Sequence, residues 1–133
     1  MRISHAAALS MALLTAACTT TGTGSRPPRV VFSGTTLKVD NFGSVDPSCT
    51  SLGRTVVQVT EQPRHGKVTI REGLDYPTFH KDNIRAHCNA KRAPATQVFY
   101  TPAPGYTGPD AFQVEVVYPD GFTRSGSYRL EVR

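Results

Sequence analysis

His80, His87 and Cys88 lie in one short segment, and imidazole and thiolate are the ligands that zinc prefers. Their spacing, His-x6-His-Cys, matches no standard zinc pattern, and Cys88 has a second available partner in Cys49. The Asp-x-Asx-x-Asx-Gly pattern of a calcium loop is absent. No metal and no cofactor is therefore expected. His65 stands in a Pro-x-His-Gly turn, where a histidine bonding to backbone is the expected role. Nucleophilic chemistry finds no support. There is no Gly-x-Ser-x-Gly elbow and no His-Glu-x-x-His helix. The ten acidic residues include no pair marked out for general acid–base work. The chain reads as non-enzymatic.

Charge offers a different kind of chemistry. His80, Lys81, Arg85, His87, Lys91 and Arg92 all fall in residues 72–96, where neither strand nor helix periodicity is visible. Long irregular loops on a rigid scaffold are where binding usually resides. The formal net charge of +5 suits anionic surfaces and acidic glycans, and also solubility. No run of Lys and Arg reaches the length of a nucleic-acid tail, so nucleic acid is not an expected partner. Tryptophan is absent, which weakens an aromatic sugar platform, although Tyr76, Phe79 or Tyr118 could substitute.

The first residues set the compartment. Arg2 is followed by an apolar run over residues 6–17, too short to span a bilayer as a helix and suited to a secretory signal. Its end, Leu13-Leu14-Thr15-Ala16-Ala17-Cys18, resembles a bacterial lipoprotein signal, with Thr15 where such signals usually carry Leu. The resemblance implies lipidation of Cys18 and an outer-membrane location facing periplasm or surface. An ordinary cleaved signal, giving a periplasmic or secreted protein, and an uncleaved anchor stay open. Residues 18–28 are rich in Thr, Gly and Pro and read as a tether. Removing residues 1–17 takes away only Arg2 and leaves 14 basic against 10 acidic residues, a net charge of about +4. With Cys18 lipidated, two cysteines remain, and an exported protein would pair Cys49 with Cys88.

Residues 29–133 must position these groups. Apolar and polar residues alternate through residues 35–39, 55–61, 67–71, 98–100, 112–118 and 128–133, the signature of half-buried strands. Val30-Val31-Phe32 reads as a further early strand, and Gly/Pro turns separate the runs. About seven short strands without an amphipathic helix predict an all-β sandwich with one long irregular insertion, residues 72–96. A short helical turn could fall near residues 81–88.

Two motifs carry a family resemblance. They are Pro63-x-His65-Gly66-x-Val68 and Tyr100-x-Pro102-x-x-Gly105-Tyr106-x-Gly108-x-Asp110-x-Phe112. Together they resemble the cadherin-like or immunoglobulin-like modules of bacterial surface proteins. The resemblance implies an exported immunoglobulin-like sandwich of antiparallel strands that serves as a spacer, an adhesive unit or a binding unit. The motif residues themselves read as architecture: Tyr106 as a tyrosine corner, Asp110 as an acceptor for turn N–H groups, Gly105 and Gly108 as positive-φ positions.

The expectation is a monomeric cell-envelope module that presents the basic loop to an envelope protein or an anionic glycan and touches the membrane only through its lipid. A strand edge docking into a larger assembly is the alternative. A small periplasmic enzyme or metal-binding protein is a more distant one.

Overall fold

The computed structural model describes residues 26–133; the leader (residues 1–17), Cys18 and the tether as far as residue 25 lie outside the described residues. Seven strands follow one another: β1 (Arg29–Val31), β2 (Leu37–Phe42), β3 (Val56–Glu61), β4 (Gly66–Asp75), β5 (Ala93–Pro102), β6 (Gly108–Val117) and β7 (Thr123–Val132). They form a four-stranded sheet, β1-β7-β6-β3, packed on a three-stranded sheet, β2-β5-β4. Placing the third, sixth and seventh strands in one sheet and the second, fifth and fourth in the other gives an immunoglobulin-like sandwich. One pair departs from the expected antiparallel pattern. β1 runs parallel to β7, from Arg29 beside Leu130 to Val31 beside Val132.

The alternation read from the sequence is the inside–outside alternation of the sheets. Val98 and Tyr100 on β5, Phe112, Val114 and Val116 on β6, and Leu130 and Val132 on β7 are almost wholly buried. Val57, Val39 and Val31 complete the core from β3, β2 and β1. Of the early apolar run, only Val31 turns inward, while Val30 and Phe32 are exposed. The strand alternates, so Val30 points away from the face that carries Arg29 and Val31.

Three rings form a row through this core. Phe112 lies between Tyr100, with centroids 6.2 Å apart, and Tyr128, with centroids 4.9 Å apart. Each tyrosine carries its hydroxyl to an aspartate, Tyr100 to Asp110 at 2.7 Å and Tyr128 to Asp40 at 2.7 Å. Each ring also needs a glycine. A Cβ at Gly66 would stand 2.5 Å from the Tyr100 ring, and one at Gly126 would stand 2.9 Å from the Tyr128 hydroxyl. Contacts that close do not occur without displacement, so these glycines are fixed by their tyrosines.

The connections fall at two ends. One end gathers the β1–β2, β3–β4 and β5–β6 turns, where the Ala103 N–H donates to the His65 carbonyl at 2.8 Å. The opposite end gathers the β2–β3, β4–β5 and β6–β7 connections. The irregular insertion is shorter than the sequence suggests. β4 and β5 stay paired out to Asp75 beside Ala93, which confines the loop to residues 76–92. Residues 71–74 are exposed on both faces, so they show no alternation even though they are in a strand. Within the loop the helical turn is a five-residue 3-10 segment, Ala86–Ala90.

Candidate functional site

The end that bears the two sequence motifs is closed. Asp110 is buried and accepts the Tyr100 hydroxyl together with the backbone N–H groups of Arg64, His65 and Ala111, all at 2.7–3.0 Å. Burial alone would raise the Asp110 carboxyl, but the hydrogen bonds from Tyr100 and these N–H groups outweigh it and hold the group below the ordinary carboxylate range. His65 stacks on Tyr106 with ring centroids 4.1 Å apart. The Tyr106 hydroxyl donates to the Pro109 carbonyl at 2.6 Å, three residues downstream of its own position. Gly105 and Gly108 take positive φ, 76° and 126°. Pro102 is buried at the end of β5. Both motifs thus form one polar plug around Asp110.

The opposite end is held by the disulfide between Cys49 and Cys88, which joins the β2–β3 connection to the β4–β5 loop across 39 residues. Cys49 has a φ of 65°, the left-handed region that a non-glycine residue rarely adopts. His87 completes a Cys49–His87–Cys88 cluster with ligand atoms within 4.8 Å. Both sulfurs are used by the disulfide, and the His87 Nε2 is bonded to the Pro47 carbonyl at 2.8 Å. His80 lies elsewhere, against Asp82 at 3.2 Å.

The basic residues of the loop serve mainly to hold it. Lys81 pairs with Asp82 at 2.7 Å. The Arg92 guanidinium donates to the Leu74 carbonyl at 2.8 Å, and Arg85 lies over the Phe79 ring, 5.9 Å from its centroid. Lys91 is exposed just after the 3-10 turn. Asn89 fixes Phe79 from both sides, accepting its N–H at 2.9 Å and donating to its carbonyl at 2.8 Å. The six loop residues are therefore not one free cationic face.

A cleft opens beside this loop, with a volume of about 620 Å³. Pro77, Thr78 and Phe79 form one wall, β2 contributes Asp40, Asn41 and Phe42, and β7 contributes Arg124 to Tyr128. Arg26 and Arg29 close the third side, and Tyr118 lines it as well. Arg29 stands over the Tyr128 ring, 5.5 Å from its centroid. Among the described residues, Arg26, Arg29 and Arg124 make no ion pair. Burial pushes the Tyr128 hydroxyl well above its usual range; Asp40 pushes it the same way, and Arg29 and Arg124 pull it back. Tyr118 is raised by burial, with Arg124 opposing. Both guanidinium groups and Asp40 thus act on one tyrosine at the cleft floor.

A smaller cavity of about 270 Å³ lies between the β2–β3 connection and the far end of β4 and β5. The Arg54–Glu72 ion pair lies among its lining residues. The Arg29, Arg124 and Asp40 set was missed in the sequence because its members come from three distant strands. The one available signal was the polar stretch Arg124-Ser125-Gly126-Ser127 immediately before the inward Tyr128.

No protein-family model, no curated protein and no solved structure matches the chain.

Proposed function

We propose that this protein is an exported, non-enzymatic module of the cell envelope that binds an anionic envelope polymer or an acidic protein surface at its disulfide-held end. The observation that carries this reading is the cleft: three guanidinium groups that make no ion pair among the described residues, Arg26, Arg29 and Arg124, line a cavity of about 620 Å³ together with one carboxylate, Asp40. That volume falls within the range of small-molecule and saccharide sites. Export is supported by the signal-like leader, by the lipoprotein-like sequence around Cys18 and by the disulfide, which belongs to oxidising compartments. The cadherin-like resemblance of the two motifs suits an envelope module whose motif residues are architectural.

The test uses retention of the purified domain on immobilised alginate and on neutral agarose across a salt gradient. Retention on alginate that weakens with salt, and that is lost when Arg29 and Arg124 are both changed to Glu, is expected. Equal elution from both matrices would overturn the reading. Palmitate labelling of the full chain that vanishes in Cys18→Ser is expected of the lipid anchor; labelling that persists in the variant would refute it.

A second reading has its own observation. β4 is a ten-residue strand at a sheet edge, with Leu74 half exposed and Tyr76 just beyond it. Such an edge can add a strand from a partner. A stable complex that survives the double arginine reversal would favour this reading over the cleft.

A further inference from the structure

We propose that the cleft is a subsite for a hexuronic acid unit of an acidic polysaccharide, with Arg29 and Arg124 taking the sugar carboxylate and Asp40 taking a ring hydroxyl. This deepens the anion-binding reading and rests on it.

Three features together fit a sugar acid. The first is the donor set. A guanidinium fork matches a carboxylate in two parallel hydrogen bonds, and two such groups from different strands, Arg29 on β1 and Arg124 on β7, border the same floor.

The second is Asp40. A site built for phosphate or for polyanion charge alone gains nothing from a carboxylate among its arginines. A sugar hydroxyl does need an acceptor. The Asp40 Oδ1 takes the Asn41 N–H at 2.9 Å and Oδ2 takes the Tyr128 hydroxyl at 2.7 Å. Each oxygen has two lone-pair directions, so one on each stays available. The Tyr128 hydroxyl also fixes the rotamer of Asp40, and Gly126 makes room for that hydroxyl.

The third is the lining. Asn41, Thr78, Ser125 and Ser127 bring short polar groups that can both give and accept hydrogen bonds. Phe79 and Tyr118 supply apolar faces for the C–H side of a pyranose, and Phe79 is fixed by Asn89. A cavity of about 620 Å³ lies within the size range of small-ligand sites.

The experiment measures binding of trigalacturonate, galactotriose, inorganic phosphate and phosphatidylglycerol vesicles to the domain by calorimetry and by chemical-shift mapping. Trigalacturonate is expected to bind and to shift the resonances of Asn41, Ser125 and Ser127, while galactotriose binds at least tenfold more weakly. Arg29→Gln together with Arg124→Gln is expected to abolish trigalacturonate binding. Asp40→Asn is expected to weaken trigalacturonate binding about tenfold. Circular dichroism and urea midpoints of each variant separate loss of binding from loss of fold. Equal affinity for phosphate or for the vesicles, or trigalacturonate binding indifferent to Asp40→Asn, would overturn the uronate assignment and leave the anion-binding reading standing. Failure of alginate retention itself would bring down both.

Discussion

Tyr100 with Asp110 and Tyr128 with Asp40 are the same chemical pair, placed at the two ends of one row of rings and each made possible by a glycine. Their surroundings differ. Asp110 is buried and its four donors use its acceptor capacity, three of them backbone N–H groups and two of these from the β3–β4 turn it closes. Asp40 is half-buried, has two donors and faces a cleft lined with arginines. A carboxylate saturated by backbone builds a fold. The same carboxylate left with acceptor positions open toward solvent is able to take a ligand. The sequence motif marks the saturated pair, because fixing turns demands fixed residues at fixed spacing.

The largest expected effect concerns the end with the cleft. Replacing Cys49 and Cys88 together by Ala opens a ring of 39 residues and should cost about 4 kcal/mol by the chain-entropy argument, read as a fall in urea midpoint. It should also weaken binding at the cleft, since Phe79 is carried by the stapled loop. A variant as stable as the parent would show that the loop is held by Asn89, His87 and Arg92 without the staple.

Next comes Asp110→Ala. It orphans the Arg64 and His65 N–H groups and the Tyr100 hydroxyl, at a cost of about 3 kcal/mol, against about 1 kcal/mol for Asp40→Ala. Equal losses in chemical denaturation would erase the distinction between the two pairs. Gly66→Ala forces a methyl into the Tyr100 ring and should cost about 2 kcal/mol. Gly105→Ala meets no atom, but its φ of 76° disfavours a side chain, so about 1 kcal/mol is expected. Reversal of that order would place the constraint in the turn and not in the ring.

The smallest effect is in pH. Asp110 and Asp75 both sit below the ordinary carboxylate range. Burial opposes this in each. In Asp75 it is outweighed by the Lys38 ammonium at 2.5 Å, the Gln97 amide and the Tyr76 N–H. A carboxyl that is more acidic when folded stabilises fully above its unfolded value, about 3.9, and that contribution is lost as pH falls through the folded value. Stability should therefore fall below about pH 4, and Asp110→Asn should flatten that limb when urea midpoints are measured against pH. Tyr100 and Tyr128 are raised by burial and by their aspartates, so their contribution is complete below about pH 10 and is lost above it.

Much of the fold was legible because burial in a sandwich has a period of two. Tyr128, Leu130 and Val132 alternate with Arg129 and Glu131, and the last strand lies as that alternation requires. The disulfide was legible from cysteine number together with the expectation of export. The strand ends at residues 72–75 and 93–96 were not, since residues 71–74 of β4 are exposed on both faces and are held by backbone pairing to β5, which leaves no alternation to read. The loop arginines were visible as charge, but their partners, the Leu74 carbonyl and the Phe79 ring, are known only once the chain folds back. The cleft was the least legible part. Asp40 and Tyr128 stand 88 residues apart, and Arg29 and Arg124 occupy positions where a strand ordinarily shows any polar residue to water.

The parallel pairing of β1 with β7 has a mechanical consequence. β1 begins toward the cleft end, β7 finishes at the plug end, and Arg133 exchanges backbone bonds with Ser33 and Val31. Tension applied between residues 29 and 133 therefore pulls the two strands past each other along their length. The hydrogen bonds between them are loaded together in shear and cannot be unzipped one at a time.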